Sequence, residues 1–267
     1  MRKIDMCFAA AFLAVLFFTA CGDSESSPAG PQASPASSSI VPKSSSSANS
    51  SSSLEECTEK CVGRSFLWDG MLDTEGKVVT GSTEKSSGLW RTFNDSAYGG
   101  SSRIIFPYDV KPDEYGNFFG PLICAYGGIE GEASLGDGYD YPYAGLEFDV
   151  WSANKEGADI SLWKGLCLEY VSMKSFYVEL VVENDSSVTE SNNYRASVSA
   201  SEGPNVVSLP WDKFRQGRGW GKIVSQEDVL RKTAMIRLTF EGYATFSSEF
   251  RIMQIGSLGA CAAYADQ

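Results

Sequence analysis

One pattern limits the fold of this chain more than any other. After Cys61 no long stretch carries apolar residues at helical period; short apolar or alternating segments recur instead. They fall at 89–94, 103–106, 122–126, 145–151, 166–171, 176–183, 194–200, 206–209, 235–241 and 249–255. Gly, Asp, Asn, Ser and Pro clusters separate them, the residues that turn a chain between strands. Such spacing predicts an all-β fold, a β-sandwich of the jelly-roll kind. Only 226–232 reads as helix, with Ser225 as its cap.

Side chains alternate between the two faces of a strand, so parity sorts these segments. Leu146, Phe148 and Val150 alternate with Glu147, Asp149 and Trp151, and Val178, Leu180 and Val182 with Tyr177, Glu179, Val181 and Glu183. Ile236, Leu238 and Phe240 alternate with Arg237, Thr239 and Glu241, and Tyr194, Ala196 and Val198 with Arg195, Ser197 and Ser199. The first set of each builds the core. The second mixes aromatic rings, carboxylates and arginines, which is what a sugar-binding surface needs: rings to stack on pyranose faces, charged groups to bond hydroxyls. Asp149, Trp151, Tyr177, Glu179, Arg195 and Arg237 are therefore the candidate ligand-binding residues. The competing reading is a solvated sheet face whose cross-strand ion pairs contribute little.

Composition narrows the chemistry. None of the 267 residues is histidine, which removes Ser-His-Asp and Cys-His catalysis, histidine-ligated zinc and a histidine pH switch. The net charge of −12 argues against nucleic acid, whose binding needs clustered cations. An acidic surface suits solubility, divalent cations or a neutral ligand. From Leu54 onward stand 19 basic and 31 acidic residues, so the expected folded part carries the whole charge.

The amino-terminal region reads as an address and a tether. Arg2 and Lys3 precede an uncharged apolar run from Met6 to Ala20, which suits a signal segment better than a mature membrane span. Phe18-Thr19-Ala20-Cys21-Gly22 resembles the bacterial lipobox, with Phe18 where Leu is usual. Residues 1–20 are thus expected to be a lipoprotein signal, and Cys21 the acylated anchor. The alternative is an ordinary secretory signal. Ser24 to Ser53 holds 15 Ser and 4 Pro, too little apolar surface to offset the entropy of ordering, and 21–56 is read as a disordered linker. Gly22 in place of Asp favours the outer membrane, with either face open. The domain is 57–267, expected as a monomer.

Five cysteines remain: Cys57, Cys61, Cys124, Cys167 and Cys261. In an oxidising compartment disulfides are the default, with one cysteine left over. The Cys57/Cys61 spacing suits a local bridge or a staple to Cys261 across the domain termini. With no second pair and no histidine, zinc is disfavoured. Cys124 and Cys167, both placed in strand-like runs, are candidates to pair across a sheet or to stay as buried thiols.

Three stretches resemble family 11 carbohydrate-binding modules and related jelly rolls. The first is Leu89-Trp90-Arg91-Thr92-Phe93-Asn94-Asp95 with Gly99-Gly100-Ser101-Ser102; the second is Gly165-Leu166-Cys167-Leu168-Glu169-Tyr170 with Tyr177-Val178-Glu179-Leu180. The third and most specific is Leu209-Pro210-Trp211-Asp212-Lys213-Phe214-Arg215-Gln216 with Gly219-Trp220-Gly221. The resemblance implies a galactose-binding-like jelly roll that binds β-glucan or cellulose-like polysaccharide on a concave sheet, with no cofactor. Trp90, Phe93, Trp211 and Phe214 are assigned to core and turn packing. Asp95 is assigned to closing its glycine-rich loop; structural calcium is the alternative, although no Asp-x-Asp-x-Asp-Gly loop is present. Asp137-Gly138-Tyr139-Asp140-Tyr141-Pro142-Tyr143 reads as a loop at a groove mouth or a plain turn. Two other classes compete with a non-catalytic binding lipoprotein. One is a glycoside hydrolase with paired carboxylates; the other is an assembly or structural surface lipoprotein that holds a protein partner.

Overall fold

The computed structural model describes residues 62–112 and 117–261. The chain divides into two units, Met1–Glu56 and Cys57–Gln267, and only the second contains described residues. The signal segment 1–20, the anchor Cys21, the linker 21–56, Cys57 and Cys61 all lie outside them.

Eleven strands form two antiparallel sheets, as alternation predicts. In chain order they are β1 (Leu67–Asp69), β2 (Trp90–Asn94), β3 (Arg103–Ile105), β4 (Ile129–Ser134), β5 (Tyr143–Asp149), β6 (Gly165–Ser172), β7 (Phe176–Val182), β8 (Tyr194–Val198), β9 (Ser201–Pro210), β10 (Thr233–Glu241) and β11 (Ser247–Ser257). One sheet has five strands in the order β2-β5-β10-β7-β8. The other has six, in the order β3-β4-β11-β6-β9. In that sheet one edge of β11 pairs with β4 over its first half and with β1 near its end. Consecutive strands that switch sheets make a jelly-roll β-sandwich.

Aromatic rings from both sheets meet in the core. Trp68 of β1 packs on Trp90 of β2 with ring centroids 5.4 Å apart, and Phe240 of β10 on Phe250 of β11 at 5.0 Å. Tyr170 of β6 meets Phe176 of β7 edge-on at 5.4 Å. Full burial of each such side chain contributes about 1.5–3 kcal/mol.

Three elements depart from the sequence reading. Residues 122–126 are not a strand but the end of helix α1 (Phe119–Tyr126), which places Cys124 on a helix. Leu122 and Ile123 are buried there, and Gly127 closes the helix in the left-handed region at φ 64°. A five-residue apolar run has no period long enough to separate the two structures. Strands β1 and β4 have no counterpart among the expected strands: β1 is only three residues long, and the inward positions of β4 include Gly131 and Ala133, which give almost no apolar signal. Helix α2 (Asp185–Val188) is a single turn, and α3 (Gln226–Leu230) follows Ser225, whose Oγ accepts from the Asp228 N–H.

The cysteine pairing also differs. Cys167 of β6 is bonded to Cys261, a sequence separation of 94, so neither the Cys124–Cys167 pair nor a staple from Cys57 or Cys61 to Cys261 forms. Cys124 is disulfide-bonded as well. Among the described residues no helix is long and apolar enough to cross a membrane.

Candidate functional site

The outward face of the five-stranded sheet is organised by register. Arg91 of β2 lies opposite Glu147 of β5, Glu147 opposite Arg237 of β10, Arg237 opposite Glu179 of β7, and Glu179 opposite Arg195 of β8. The charges alternate across all five strands in one row. A second row runs beside it: Phe93, Gly145, Thr239, Tyr177 and Ser197. Phe93 leans over Gly145, where an added Cβ would meet the ring at 2.7 Å and the Leu238 carbonyl at 2.1 Å. Small residues thus separate the two rings along the row.

Two of the three arginines join the rows. Arg237 donates from Nε to Glu147 at 2.7 Å and lies over the Phe93 ring, 4.8 Å from its centroid. Arg195 donates to Glu241 at 2.9 Å and covers the Tyr177 ring at 4.3 Å. Arg91 donates from Nε to Glu147 at 2.6 Å and forks onto both oxygens of Asp149. Its guanidinium is held charged more firmly than usual, first by the hydrogen bonds to Asp149.

Glu179 is the exception in the row. Its register neighbours turn their guanidinium groups to other carboxylates, and burial pushes its pKa up to about 6. Arg237 and Arg195 oppose that rise and Glu241 adds to it. The result is a half-buried carboxyl that holds its proton to a higher pH than an ordinary glutamate.

Five of the six candidates, Asp149, Tyr177, Glu179, Arg195 and Arg237, lie on this one face. Trp151 does not. β5 ends at Asp149, and Trp151 bridges Gly157 at the base of a polar turn in which Lys155 takes φ 60°. The alternation does not extend through that turn.

Other residues of the face were not singled out by sequence. Arg91 and Glu147 carry two steps of the charge row, and Phe93, expected in the core, is a half-buried outward ring. The signal was present in β2 itself: Trp90 points inward, so Arg91 and Phe93 share the opposite face. The 137–143 stretch does extend the face with rings. Tyr143 lies 5.9 Å from Phe93, Tyr139 lies 6.3 Å from Tyr143, and Tyr98 stacks on Tyr139 at 5.1 Å. Burial, then the neighbouring Tyr98, pushes the Tyr143 phenol up to about 12.

The remaining motif residues are structural. Asp95 is fully buried and accepts from the Ser102 N–H at 3.1 Å, the Ser102 hydroxyl at 2.6 Å and the Tyr143 N–H at 3.3 Å, which closes the loop. Gly100 packs against that carboxylate with no room for a Cβ. Trp90 and Phe214 are core, and Trp211 packs against it. Among the described residues no group of three or more acidic or cysteine side chains is placed to hold a metal ion.

No protein-family model and no curated protein sequence matches the chain. Among solved structures, its fold is similar to a family 11 carbohydrate-binding module from Clostridium thermocellum in complex with a β-1,3-1,4-mixed-linked tetrasaccharide. That match has 12% identity and a TM-score of 0.41, and covers 73% of this chain and 96% of the module. It is also similar to the agarase AgWH50C at 9% identity and a TM-score of 0.38, over 74% of this chain and 25% of the agarase. A family 30 carbohydrate-binding module matches at 11% identity and a TM-score of 0.31, over 52% of this chain and 72% of the module.

Proposed function

We propose that the outward face of the five-stranded sheet binds a neutral, linear polysaccharide of the β-glucan or cellulose type without cleaving it. The observation that carries this reading is the pair of adjacent rows. Rings at Phe93 and Tyr177 flank a floor of Gly145 and Thr239, beside an alternating line of donors and acceptors. Arg91, Arg195 and Arg237 are already charge-paired within the face, so it does not call for a charged ligand. Hydroxyls, which both donate and accept, match a surface that presents guanidinium and carboxylate side by side.

Hydrolysis by two carboxylates finds less support. A glycosidase needs one carboxyl kept protonated and a second free to act as base or nucleophile. Glu179 has the raised pKa of an acid, but Glu147, Asp149 and Glu241 are each bonded to an arginine. We further propose that the protein is a monomeric cell-envelope lipoprotein, acylated at Cys21 and held at the outer membrane by the Ser/Pro-rich linker. Composition and the lipobox-like stretch support that plan.

The test uses the full chain with insoluble cellulose and soluble β-glucan, with reducing ends measured on the same samples. Retention on glucan without release of reducing ends is expected. Release that is lost in Glu179→Gln would move the protein into the hydrolases. For the anchor, Cys21→Ser should free the protein from membranes, and unchanged membrane association would defeat that part.

A further inference from the structure

The opposite face of the sandwich has a different chemistry. A groove of about 650 Å³ crosses the outward side of the six-stranded sheet, lined from β3, β4, β11, β6 and β9. Ile105, Tyr108 and Met173 line it and are exposed, Tyr108 at 94%. Glu130, Glu132, Glu202 and Glu249 line it as well, against one arginine, Arg251, which is bonded to Glu130.

Register sharpens the imbalance. Glu132 of β4 lies directly opposite Glu249 of β11, a like-charge pair that costs stability in an antiparallel sheet. Glu132 has the hydroxyl of Ser247 as a donor, which carries no charge. Nothing comparable occurs in the five-stranded row, where each step from Arg91 to Arg195 sets opposite charges together.

We propose that this groove is a second binding surface, and that it takes a basic protein segment bearing large apolar side chains. Lysine or arginine would meet Glu132 and Glu249, and the apolar groups would cover Met173, Ile105 and Tyr108. A neutral glycan offers no charge to relieve the carboxylate pair, and an anionic lipid surface would be repelled by it. Exposed apolar groups beside an unbalanced charge mark a protein-binding surface better than a solvated one. The site is separate from the proposed glycan face and does not depend on it.

The test is fluorescence anisotropy with the full chain and a labelled peptide of alternating Lys and Leu, beside its Glu-for-Lys counterpart. The lysine peptide should bind and the glutamate peptide should not. Glu132→Gln with Glu249→Gln should weaken binding at least tenfold. The same charge change at the exposed Glu156 and Glu183 should weaken it less than twofold, and Tyr108→Ala several-fold. Thermal unfolding of the Glu132/Glu249 double variant should occur at or above the parent temperature, because a repulsion is removed. Equal losses in the two double variants would show attraction to net charge alone and overturn the proposal. So would equal binding of the two peptides, or binding lost in Tyr177→Ala on the other sheet.

Discussion

The two outward faces of this sandwich obey the same alternation and reach opposite electrostatic outcomes. On the five-stranded sheet Arg91, Glu147, Arg237, Glu179 and Arg195 stand in one row with opposite charges adjacent at every step. On the six-stranded sheet Glu132 stands opposite Glu249, and the chain end is stapled to β6 by Cys167–Cys261. Parity within a strand decides which side chains point outward. Register between strands decides whether their charges meet partners. On one face every arginine is paired with a carboxylate and only Glu179 is left to its register neighbours; the other keeps an excess of carboxylate.

The largest way to disturb the comparison is to cut the staple of the six-stranded sheet. Cys167→Ala with Cys261→Ala opens a loop spanning 94 residues of sequence, and should lower unfolding free energy by about 3–5 kcal/mol. Denaturant titration measures it, and a loss below 1 kcal/mol would make the staple incidental.

Next is the hub of the charge row. Glu147 is buried and accepts from both Arg91 and Arg237. Glu147→Gln removes the charge that answers two cations; a fully buried pair would cost more, but Arg91 is partly exposed, so about 2–3 kcal/mol is expected. The matching change on the other face, Glu130→Gln beside the half-exposed Arg251, should cost only about 0.5 kcal/mol. Equal losses would erase the distinction between the faces.

Glu179 should behave in the opposite sense. Its pKa rises on folding from 4.5 to about 6, so the folded state holds the proton more tightly than the unfolded one. Stability is then highest below about pH 4.5 as far as this group is concerned, and falls as pH rises through 6. Glu179→Gln should remove that slope and stabilise the protein by about 1–2 kcal/mol at pH 8. A destabilised variant at pH 8 would mean that the ionised carboxylate is held by Arg237 and Arg195 after all.

How far the sequence carries follows from the same distinction. Alternation alone sets Tyr177, Glu179, Arg195 and Arg237 on the polar faces of their strands, because those strands are regular and half apolar; the pairing of β7 with β8 and β10 makes it one face. That Glu147 touches Arg91 and Arg237 is a fact of register, and no single strand contains it. The aromatic motif alone suggests a core place for Phe93, whereas Trp90 three residues earlier sets its parity outward. The alternation that assigns Trp151 continues in the sequence past the point where β5 ends at Asp149. β4 was hidden by Gly131 and Ala133, α1 by its length, and the Cys167–Cys261 pair by a choice among five cysteines that spacing does not resolve.

The central claim, that the outward row between Phe93 and Tyr177 binds glycan, is tested most directly by titrating soluble β-glucan into the full chain and into Tyr177→Ala, with thermal unfolding measured in parallel. Tyr177 is half-buried on the outward face and seats Arg195 on its ring, so its removal takes away a ring edge and displaces that donor; it should cost about 1–2 kcal/mol of binding, five- to thirtyfold, while the unfolding temperature stays within a few degrees. A parent chain that does not bind, or a Tyr177→Ala variant that binds glucan as the parent does, would contradict it.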